Sequence, residues 1–292
     1  MSQELIQQAQ KVIESIVIPS PPQLLFDLTA EMSKEEPEYK AIIDLVSQDM
    51  AMTAKIIKVA NSPFFALRYK ASTVETALSV LGLENFKSIV LATSLRDAMK
   101  GNNLTPKEFD DFYLHSMQVA RMAQLIAQAL GASEKYASQV FMAGLFHDCG
   151  IPMLSQKFPK YMKTIKPHVL AGEPIVEIEE AFFLTNHCLV GIFVARAWQI
   201  PEMVCHAILS HHQKQIDPSL KEYEQKIQAM MLLAEHLLYI GLPEELRAEQ
   251  IYHHFIGSDA LLSQVLNLLD VDISLLETLS ASADALIAET EL

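Results

Sequence analysis

Phe146-His147-Asp148-Cys149-Gly150 closes a stretch that otherwise has the apolar pattern of a core helix. A histidine followed directly by an aspartate places an imidazole and a carboxylate where one divalent ion could bind both. Alone the pair is weak evidence, because a chain with 10 histidines contains such pairs by chance and buried histidines are often hydrogen-bonded core residues. Its interpretation depends on the residues around it.

The rest of the chain has the composition of a helical protein. Of its 292 residues, 50% are hydrophobic and only 9 are glycine. Its β-branched residues are scattered among good helix formers such as leucine, alanine and glutamate. Apolar residues recur at helical spacing in nearly every segment, and no sustained strand-type alternation is present. We therefore predict an all-α fold.

Charge and cysteine content exclude several classes of protein. The 22 basic and 36 acidic residues give a net charge of −14, which repels nucleic acid phosphates and anionic lipids. The longest apolar run, Cys188 to Ala195, is too short to span a bilayer, and the first residues lack the pattern of a signal peptide. Three cysteines without a C-x-x-C spacing fit a reducing compartment. We predict a cytoplasmic protein that binds neither nucleic acid nor membrane.

Proline, glycine and capping signals divide the chain. Helical spacing begins at Leu5 and ends before Pro19, which predicts a first amphipathic helix. Gly101-Asn102-Asn103, followed by the capping box of residues 105–108, marks one internal boundary. The predicted parts are an N-terminal helix at 1–15, an N-terminal helical subdomain at 16–100, a histidine-bearing helical subdomain at 104–240 and C-terminal helices at 241–292.

Histidines and acids recur on the apolar faces of the helices after this boundary. Residues on the inner faces of successive helices converge when the helices pack as a bundle. The pattern predicts that His115, His147, Asp148 and His187 share one coordination sphere, with the pair His211-His212 bordering it. Two acids at helical spacing, one four residues before His115 and one on the predicted helix after residue 219, complete the candidate metal ligands. The full set is His115, His147, Asp148, His187, His211, His212, Asp111 and Glu235.

This donor set suits a divalent transition metal. Imidazole nitrogens combined with carboxylate oxygens fit Fe, Mn, Ni or Zn, and more than four donors could hold one or two ions. The alternative is a satisfied polar core, in which neutral histidines pair with acids or backbone carbonyls. The residues alone leave both interpretations open.

The order His, His-Asp, His, His-His resembles the HD superfamily of metal-dependent phosphohydrolases. Phe146–Gly150 stands in the position of that family's Leu-His-Asp-Ile-Gly-Lys motif. Over about residues 16 to 240 the chain is still more similar to the HDOD branch of the superfamily. The matching segments are Pro21-Pro22-Gln23-Leu24, residues 46–62 with Ala60-Asn61-Ser62, residues 77–82, Asn186-His187-Cys188-Leu189-Val190-Gly191, Trp198-Gln199-Ile200-Pro201 and His211-His212.

The resemblance implies a multi-helical HD-like bundle with an N-terminal helical subdomain. HDOD proteins are usually bacterial signalling modules whose biochemical activity is mostly undefined. The six residues from His115 to His212 match metal-ligand positions of the catalytic branch, and Asp111 stands where that branch can have an extra acidic ligand. If the site is active, Asp148 is the candidate catalytic residue, because it would bridge two ions during phosphoester hydrolysis.

Three departures from the catalytic branch favour a regulatory role. Ile151 replaces a lysine that could contact phosphate, Glu235 stands near where an aspartate is expected, and Gln213 to Ile216 lack the Gly-Tyr-Pro element. We predict a signal-transduction module that retains the metal site, is weakly or not catalytic, and binds a signalling protein or a small phosphorylated ligand. The alternative is a metal-dependent phosphohydrolase or phosphodiesterase acting on a nucleotide or cyclic dinucleotide.

Overall fold

The computed structural model describes residues 11–62, 65, 69–100, 103–247, 252 and 258–288, and within them every regular element is a helix. The predicted all-α fold is confirmed. Backbone contacts divide the chain into two compact units. We call Ser20–Lys100 the amino-terminal unit, and Gly101–Glu291 together with Met1–Pro19 the carboxy-terminal unit.

Four helices lie in the described part of the amino-terminal unit. Asp49 caps the third helix by accepting a hydrogen bond from the backbone N–H of Met52, and Thr73 caps the fourth in the same way. The fourth helix is broken at Gly82, whose φ is 74°. The helices are α1 (Gln23–Met32), α2 (Tyr39–Ser47), α3 (Met50–Ala60) and α4 (Val74–Ala98).

Asn61 fastens the end of α3 to the segment that leads into α4. Its side-chain Nδ2 donates to the carbonyl of Ala71 at 2.7 Å, and its Oδ1 accepts from the N–H of Ala71 at 2.8 Å. An amide side chain is one of the few that can satisfy both backbone groups of another residue at once. Asn61 belongs to the Ala60-Asn61-Ser62 motif, so one residue of that motif has a structural explanation.

The carboxy-terminal unit contains the longer helices. The predicted capping box is present, since Thr105 Oγ1 accepts from the N–H of Glu108 and the Glu108 carboxylate accepts from the N–H of Thr105. Its helices are α5 (Pro106–Ala129), α6 (Glu134–Phe146), α7 (Gly150–Lys157), α8 (Tyr161–Leu170), α9 (Ile175–Phe183), α10 (His187–Ala197), α11 (Glu202–Ser210), α12 (Glu222–Gly241), α13 (Glu244–Arg247), α14 (Asp259–Leu269) and α15 (Ile273–Ala288).

Two glycines allow the helices of this unit to touch through their backbones. A Cβ atom at Gly144 would lie 2.5 Å from Cα of Ala120, so α6 and α5 pack without a side chain between them. A Cβ atom at Gly150 would clash with the carbonyl oxygen of His187, so the first turns of α7 and α10 also meet directly. These two contacts bring together the helices that carry His115, His147 and His187 of the predicted site.

Helix α12 forms the centre of the carboxy-terminal unit, and α5, α14 and α15 pack on it. Of the predicted N-terminal helix, residues 1–10 lie outside the described residues, and 11–14 are helical. The predicted four-part division of the chain stays a prediction.

One described helix, Val74–Ala98, is long and apolar enough to cross a membrane by length and composition. Its apolar window is 61% buried inside the protein, as expected of a core helix. The bent pair α9 and α10 passes the same test only if it is counted as a single span. The cytoplasmic location and bacterial origin stay predictions.

Candidate metal centre

Five imidazole rings converge inside the carboxy-terminal unit. The Nε2 atoms of His115 and His147 are 3.1 Å apart, and those of His187 and His211 are 3.3 Å apart. Nε2 of His212 lies 2.8 Å from Nε2 of His187. Four of the rings are buried and His212 is half-buried. The structure therefore brings the five predicted histidines together, and a single coordination sphere for them stays a prediction.

Asp148 lies between two groups of these rings. Its Oδ2 is 3.1 Å from Nε2 of His147 and 3.6 Å from Nε2 of His115. Its Oδ1 is 3.3 Å from the Nε2 atoms of both His187 and His211. Among the described residues, neither oxygen receives a hydrogen bond of good geometry, although the carboxylate is buried. Asp148 therefore connects the two groups.

Glu235 on α12 completes the cluster. Its Oε1 is 3.1 Å from Nε2 of His147 and 3.3 Å from Nε2 of His115, and its side chain is buried. The structure thus brings together seven of the eight predicted residues. Their role as metal ligands stays a prediction.

Asp111 is the predicted residue that the structure leaves outside the cluster. Its carboxylate is 48% exposed and pairs with Lys107 Nζ at 2.7 Å on the surface of α5. Four residues turn a helix by about 40° beyond a full revolution, and that offset carries Asp111 from the buried stripe to its solvent edge. The neighbour of the His115 ring is Tyr252, whose ring stacks on it, rather than Asp111. The Tyr252 hydroxyl lies 3.3 Å from the carbonyl of Glu108.

The outer nitrogens of two rings fix their tautomers. Nδ1 of His147 lies 2.6 Å from the carbonyl of Gly144, and Nδ1 of His211 lies 2.7 Å from the carbonyl of Ile208. A carbonyl only accepts, so each Nδ1 carries the proton. In the neutral ring, Nε2 then presents a lone pair to the centre of the cluster, where it meets other lone pairs and carboxylate oxygens.

Such a set of converging acceptors requires positive charge, and a divalent ion supplies it. Outer hydrogen bonds of this kind are typical of metal-binding histidines, since they orient the ring and increase its basicity. The residues present therefore fit a divalent transition metal. His/Asp/Glu groups that could hold an ion are His115 with His147 and Glu235, and His147 with Asp148 and His211.

The pKa values of His147 and Asp148 also reflect the need for positive charge in the cluster. Burial disfavours the charged form of His147, but the Asp148 and Glu235 carboxylates outweigh it and raise the pKa of His147 to about 10. Burial also opposes ionisation of Asp148, yet the surrounding histidines hold the pKa of that carboxyl well below its usual range. In the metal-free protein, protons occupy the place that a cation would take.

Two contributors to the site were not predicted from the sequence. Glu179 on α9 is buried, and its Oε2 accepts from Nδ1 of His187 at 2.7 Å and from the N–H of the same residue at 3.0 Å. Its other oxygen accepts from the hydroxyl of Tyr161. The available signal was a glutamate directly after Ile178 on an apolar stripe, eight residues before a histidine.

Cys188 is the second contributor. Its Sγ lies 3.5 Å from Nε2 of His187 and 4.0 Å from Nδ1 of His211. Burial disfavours the thiolate, but these two imidazoles outweigh it and lower the pKa of Cys188 to about 7. Its neighbour in sequence was a predicted ligand, and that was the only signal available.

A cavity of about 760 Å³ borders the cluster on one side, where His211, His212 and Cys188 line it. The charged side chains described in its lining are Glu177, Glu180 and Lys214. These three side chains carry two negative charges and one positive charge, and Lys214 Nζ lies 3.4 Å from the Glu177 carboxylate. A cavity of this size can accept a small ligand.

Sequence comparisons identify a family match and two relatives of this chain. A family model described as HDOD domain matches residues 18–214. An uncharacterized protein of Treponema pallidum (strain Nichols) is 22% identical over 223 residues, which are 72% of this chain and 41% of that protein. The uncharacterized protein YuxH of Bacillus subtilis (strain 168) is 23% identical over 121 residues, 41% of this chain and 28% of that protein. The chain thus spans less than half the length of either relative.

Solved structures share the fold. An HDOD domain protein of unknown function from Geobacter sulfurreducens has a TM-score of 0.70 at 23% identity, covering 97% of this chain and 98% of that one. A Shewanella amazonensis SB2B protein with the provisional name phosphohydrolase has a TM-score of 0.71 at 20% identity, covering 100% and 98%. A Marinobacter aquaeolei VT8 protein with the provisional name signal transduction protein has a TM-score of 0.72 at 19% identity, covering 98% and 65%.

The family match covers the amino-terminal unit and most of the histidine cluster, and it confirms the resemblance seen in the sequence motifs. The chain belongs to the HDOD domain family.

Proposed function

We propose that this chain is a signal-transduction module that holds a divalent transition metal in its histidine cluster and hydrolyses phosphoesters weakly or not at all. The metal half is supported by the inward lone pairs of His147 and His211, which their Nδ1 hydrogen bonds fix. These lone pairs converge on the buried Asp148 carboxylate, whose oxygens receive no hydrogen bond of good geometry from the described residues. Fe, Mn, Ni and Zn suit this donor set, and its two sides leave room for one or two ions.

The cavity beside the cluster supports the regulatory half. Phosphoester hydrolysis needs positive groups around the developing phosphate charge. The described charged lining has two acids and one lysine, and that lysine is already paired with Glu177. Ile151, which replaces the lysine of the catalytic motif, is buried in α7 and offers no donor.

A metal-dependent phosphohydrolase is the second candidate, and one observation favours it. The cavity of about 760 Å³ reaches His211 and His212, so a nucleotide-sized ligand could approach the cluster. When bound, a divalent ion acts as a Lewis acid toward a phosphoester. In that reaction Asp148 would be the catalytic residue, since its two oxygens face both groups of histidines.

Metal analysis followed by a turnover assay separates the two candidates. The purified chain is loaded with Mn, Fe, Ni or Zn, its metal content is measured, and it is incubated with cyclic dinucleotides, nucleotides and a generic phosphodiester. We expect bound metal and turnover far below about one per second, the lower end of ordinary enzyme rates. Turnover near or above that rate, abolished in Asp148→Ala, would establish the hydrolase. Absence of bound metal would refute the metal site.

The proposed output is a contact with a signalling protein, with a small phosphorylated ligand as the alternative. Since the chain spans less than half of its curated relatives, the activity of any longer protein is likewise a proposal.

A further inference from the structure

The three cysteines of the chain are all buried, but their sulfur atoms have different neighbours. Sγ of Cys149 lies 3.6 Å from the carbonyl of Gly191, and Sγ of Cys205 lies 3.8 Å from the carbonyl of Ile200. Both are the weak S–H contacts of ordinary core cysteines. Sγ of Cys188 instead faces the imidazole nitrogens of the cluster.

The spacing of the donors around Cys188 matches a tetrahedral metal site. Zinc bonds of about 2.0–2.1 Å to nitrogen and about 2.3 Å to sulfur place two nitrogens about 3.3 Å apart and a nitrogen and a sulfur about 3.6 Å apart. The corresponding distances are 3.3 Å between Nε2 of His187 and His211, and 3.5 Å between Nε2 of His187 and Sγ of Cys188. His187, Cys188, His211 and His212 each offer one ligand atom, and all of these atoms lie within 4.8 Å of one another.

His212 is the donor that must adjust. Its Nε2 lies 2.8 Å from Nε2 of His187, about half an ångström closer than a tetrahedral edge. The ring is half-buried and borders the cavity, so it has room to turn. The spacings from His187 Nε2 to His211 Nε2 and to Cys188 Sγ need no adjustment.

The position of Cys188 in its helix also favours a thiolate. Asn186 caps α10, so Cys188 lies in the first turn of that helix. The partial positive charge of a helix N-terminus stabilises an anion there. A thiolate is a soft ligand, and it selects zinc and other thiophilic metals over manganese or magnesium.

We propose that Cys188 is a metal ligand, and that the cluster therefore consists of two unlike subsites joined by Asp148. The oxygen-rich subsite contains His115, His147, Glu235 and Oδ2 of Asp148. The sulfur-containing subsite contains His187, Cys188, His211 and His212, with Oδ1 of Asp148 beside it. Binding forms a bond between Sγ and the metal and releases the thiol proton to solvent, without electron transfer. This inference rests on the metal half of the proposed function.

Cobalt substitution tests the sulfur ligand directly. Cobalt(II) bound by a thiolate shows a sulfur-to-metal charge-transfer absorption in the near ultraviolet, whereas nitrogen and oxygen ligands alone do not. The full chain, Cys188→Ser and Cys205→Ser are titrated with cobalt(II), and bound cobalt is measured in each. We expect the absorption in the wild type and in Cys205→Ser, and its loss in Cys188→Ser with a reduced cobalt stoichiometry.

X-ray absorption of the zinc-loaded wild type also detects a sulfur ligand. It needs no variant, so it still tests the inference if Cys188→Ser does not fold. One sulfur at about 2.3 Å from zinc supports the inference. Bound zinc with only nitrogen and oxygen neighbours, or a charge-transfer band that survives in Cys188→Ser, overturns it and leaves the proposed function intact. A wild type that binds neither metal overturns both.

Discussion

The amino-terminal and carboxy-terminal units both contain buried or half-buried polar side chains, but they satisfy them by different means. In the amino-terminal unit, Asn61 bonds both backbone groups of Ala71, and Thr93 Oγ1 donates to the carbonyl of Ile89 at 2.8 Å. In the carboxy-terminal unit, the inner nitrogens of His147 and His187 face carboxylate oxygens and other imidazole nitrogens.

The difference separates structural polar residues from residues arranged for a ligand. A buried polar group costs free energy unless it is paired, and the bonds of Asn61 and Thr93 stay within the protein. The Asp148 oxygens receive no hydrogen bond of good geometry from the described residues. These oxygens and the imidazole lone pairs around them therefore need protons or a cation. Four experiments test this difference between the two units.

Asp148→Ala should have the largest effect, because this carboxylate contacts both groups of histidines. Loss of an outer partner typically lowers metal affinity about 10–100-fold, so we expect loss of this predicted direct ligand to lower it by more than about a hundredfold. Elemental analysis after dialysis measures it. The matched control is Asp97→Ala in the amino-terminal unit, where the carboxylate pairs with Lys55 and Lys100 at the surface. A surface pair contributes about 0–1 kcal/mol, and metal content should not change. Wild-type metal content in Asp148→Ala would contradict the contrast.

Glu179→Gln should have the next largest effect. Glutamine keeps an oxygen for the N–H groups of His187 but loses the charge that makes the ring basic. Removing such an outer partner typically lowers metal affinity about 10–100-fold. The control is Glu180→Gln, because the Glu180 carboxylate accepts a hydrogen bond from Nδ2 of Asn186 at 2.7 Å instead of holding a ring of the cluster. Zinc competition titrations should distinguish the two variants, and equal affinities would show that Glu179 does not position His187.

Asn61→Ala should destabilise the amino-terminal unit without affecting metal binding. It leaves both backbone groups of Ala71 without their partner, at a cost of roughly 1–3 kcal/mol in the free energy of unfolding. Urea denaturation measures that loss, and elemental analysis should give wild-type metal content. Asn85→Ala, which loses a bond to Leu81 within α4, is a control for the amide itself. A change in metal content in Asn61→Ala would show that the two units are coupled.

The pH dependence should be the smallest effect, at most about tenfold in metal affinity per pH unit for each proton released. The pKa of His147 in the metal-free folded protein is raised from 6.5 to about 10, so the metal displaces a proton at neutral pH and binds more tightly as pH rises. The folding stability of the metal-free protein changes with pH in the opposite direction. A raised folded-state pKa contributes stability that is fully present below 6.5 and lost as pH rises through about 10. Zinc affinity that stays constant between about pH 6 and 8 would contradict this.

Much of the site was predictable because helical spacing assigns residues to faces. His115 and His187 lie on apolar stripes, and packing those stripes together brings the two rings into one cluster. Helical spacing does not determine which residues at the margin of an apolar helix face are buried. Asp111 is one turn from His115, yet it points to solvent and pairs with Lys107.

The remaining contributors depend on contacts between different helices. Glu179 comes from α9 and holds a ring on α10, and no local pattern reports that distance. Cys188 faces the cluster because the first turn of α10 turns its side chain toward His211, which comes from a different helix end. Such geometry follows only from the packed structure.

At Gly144 the backbones of α5 and α6 touch, and these helices carry His115 and His147. Close packing of these two backbones helps to keep the His115 and His147 rings near each other, with their Nε2 atoms 3.1 Å apart. Calcium prefers six to eight oxygen ligands at about 2.3–2.6 Å, whereas nitrogen ligands of zinc lie at about 2.0–2.1 Å. A hydrogen atom in place of a methyl group at residue 144 thus keeps the two rings close together, and we expect the centre, if it binds metal as proposed, to favour the short bonds of zinc over the longer bonds of calcium.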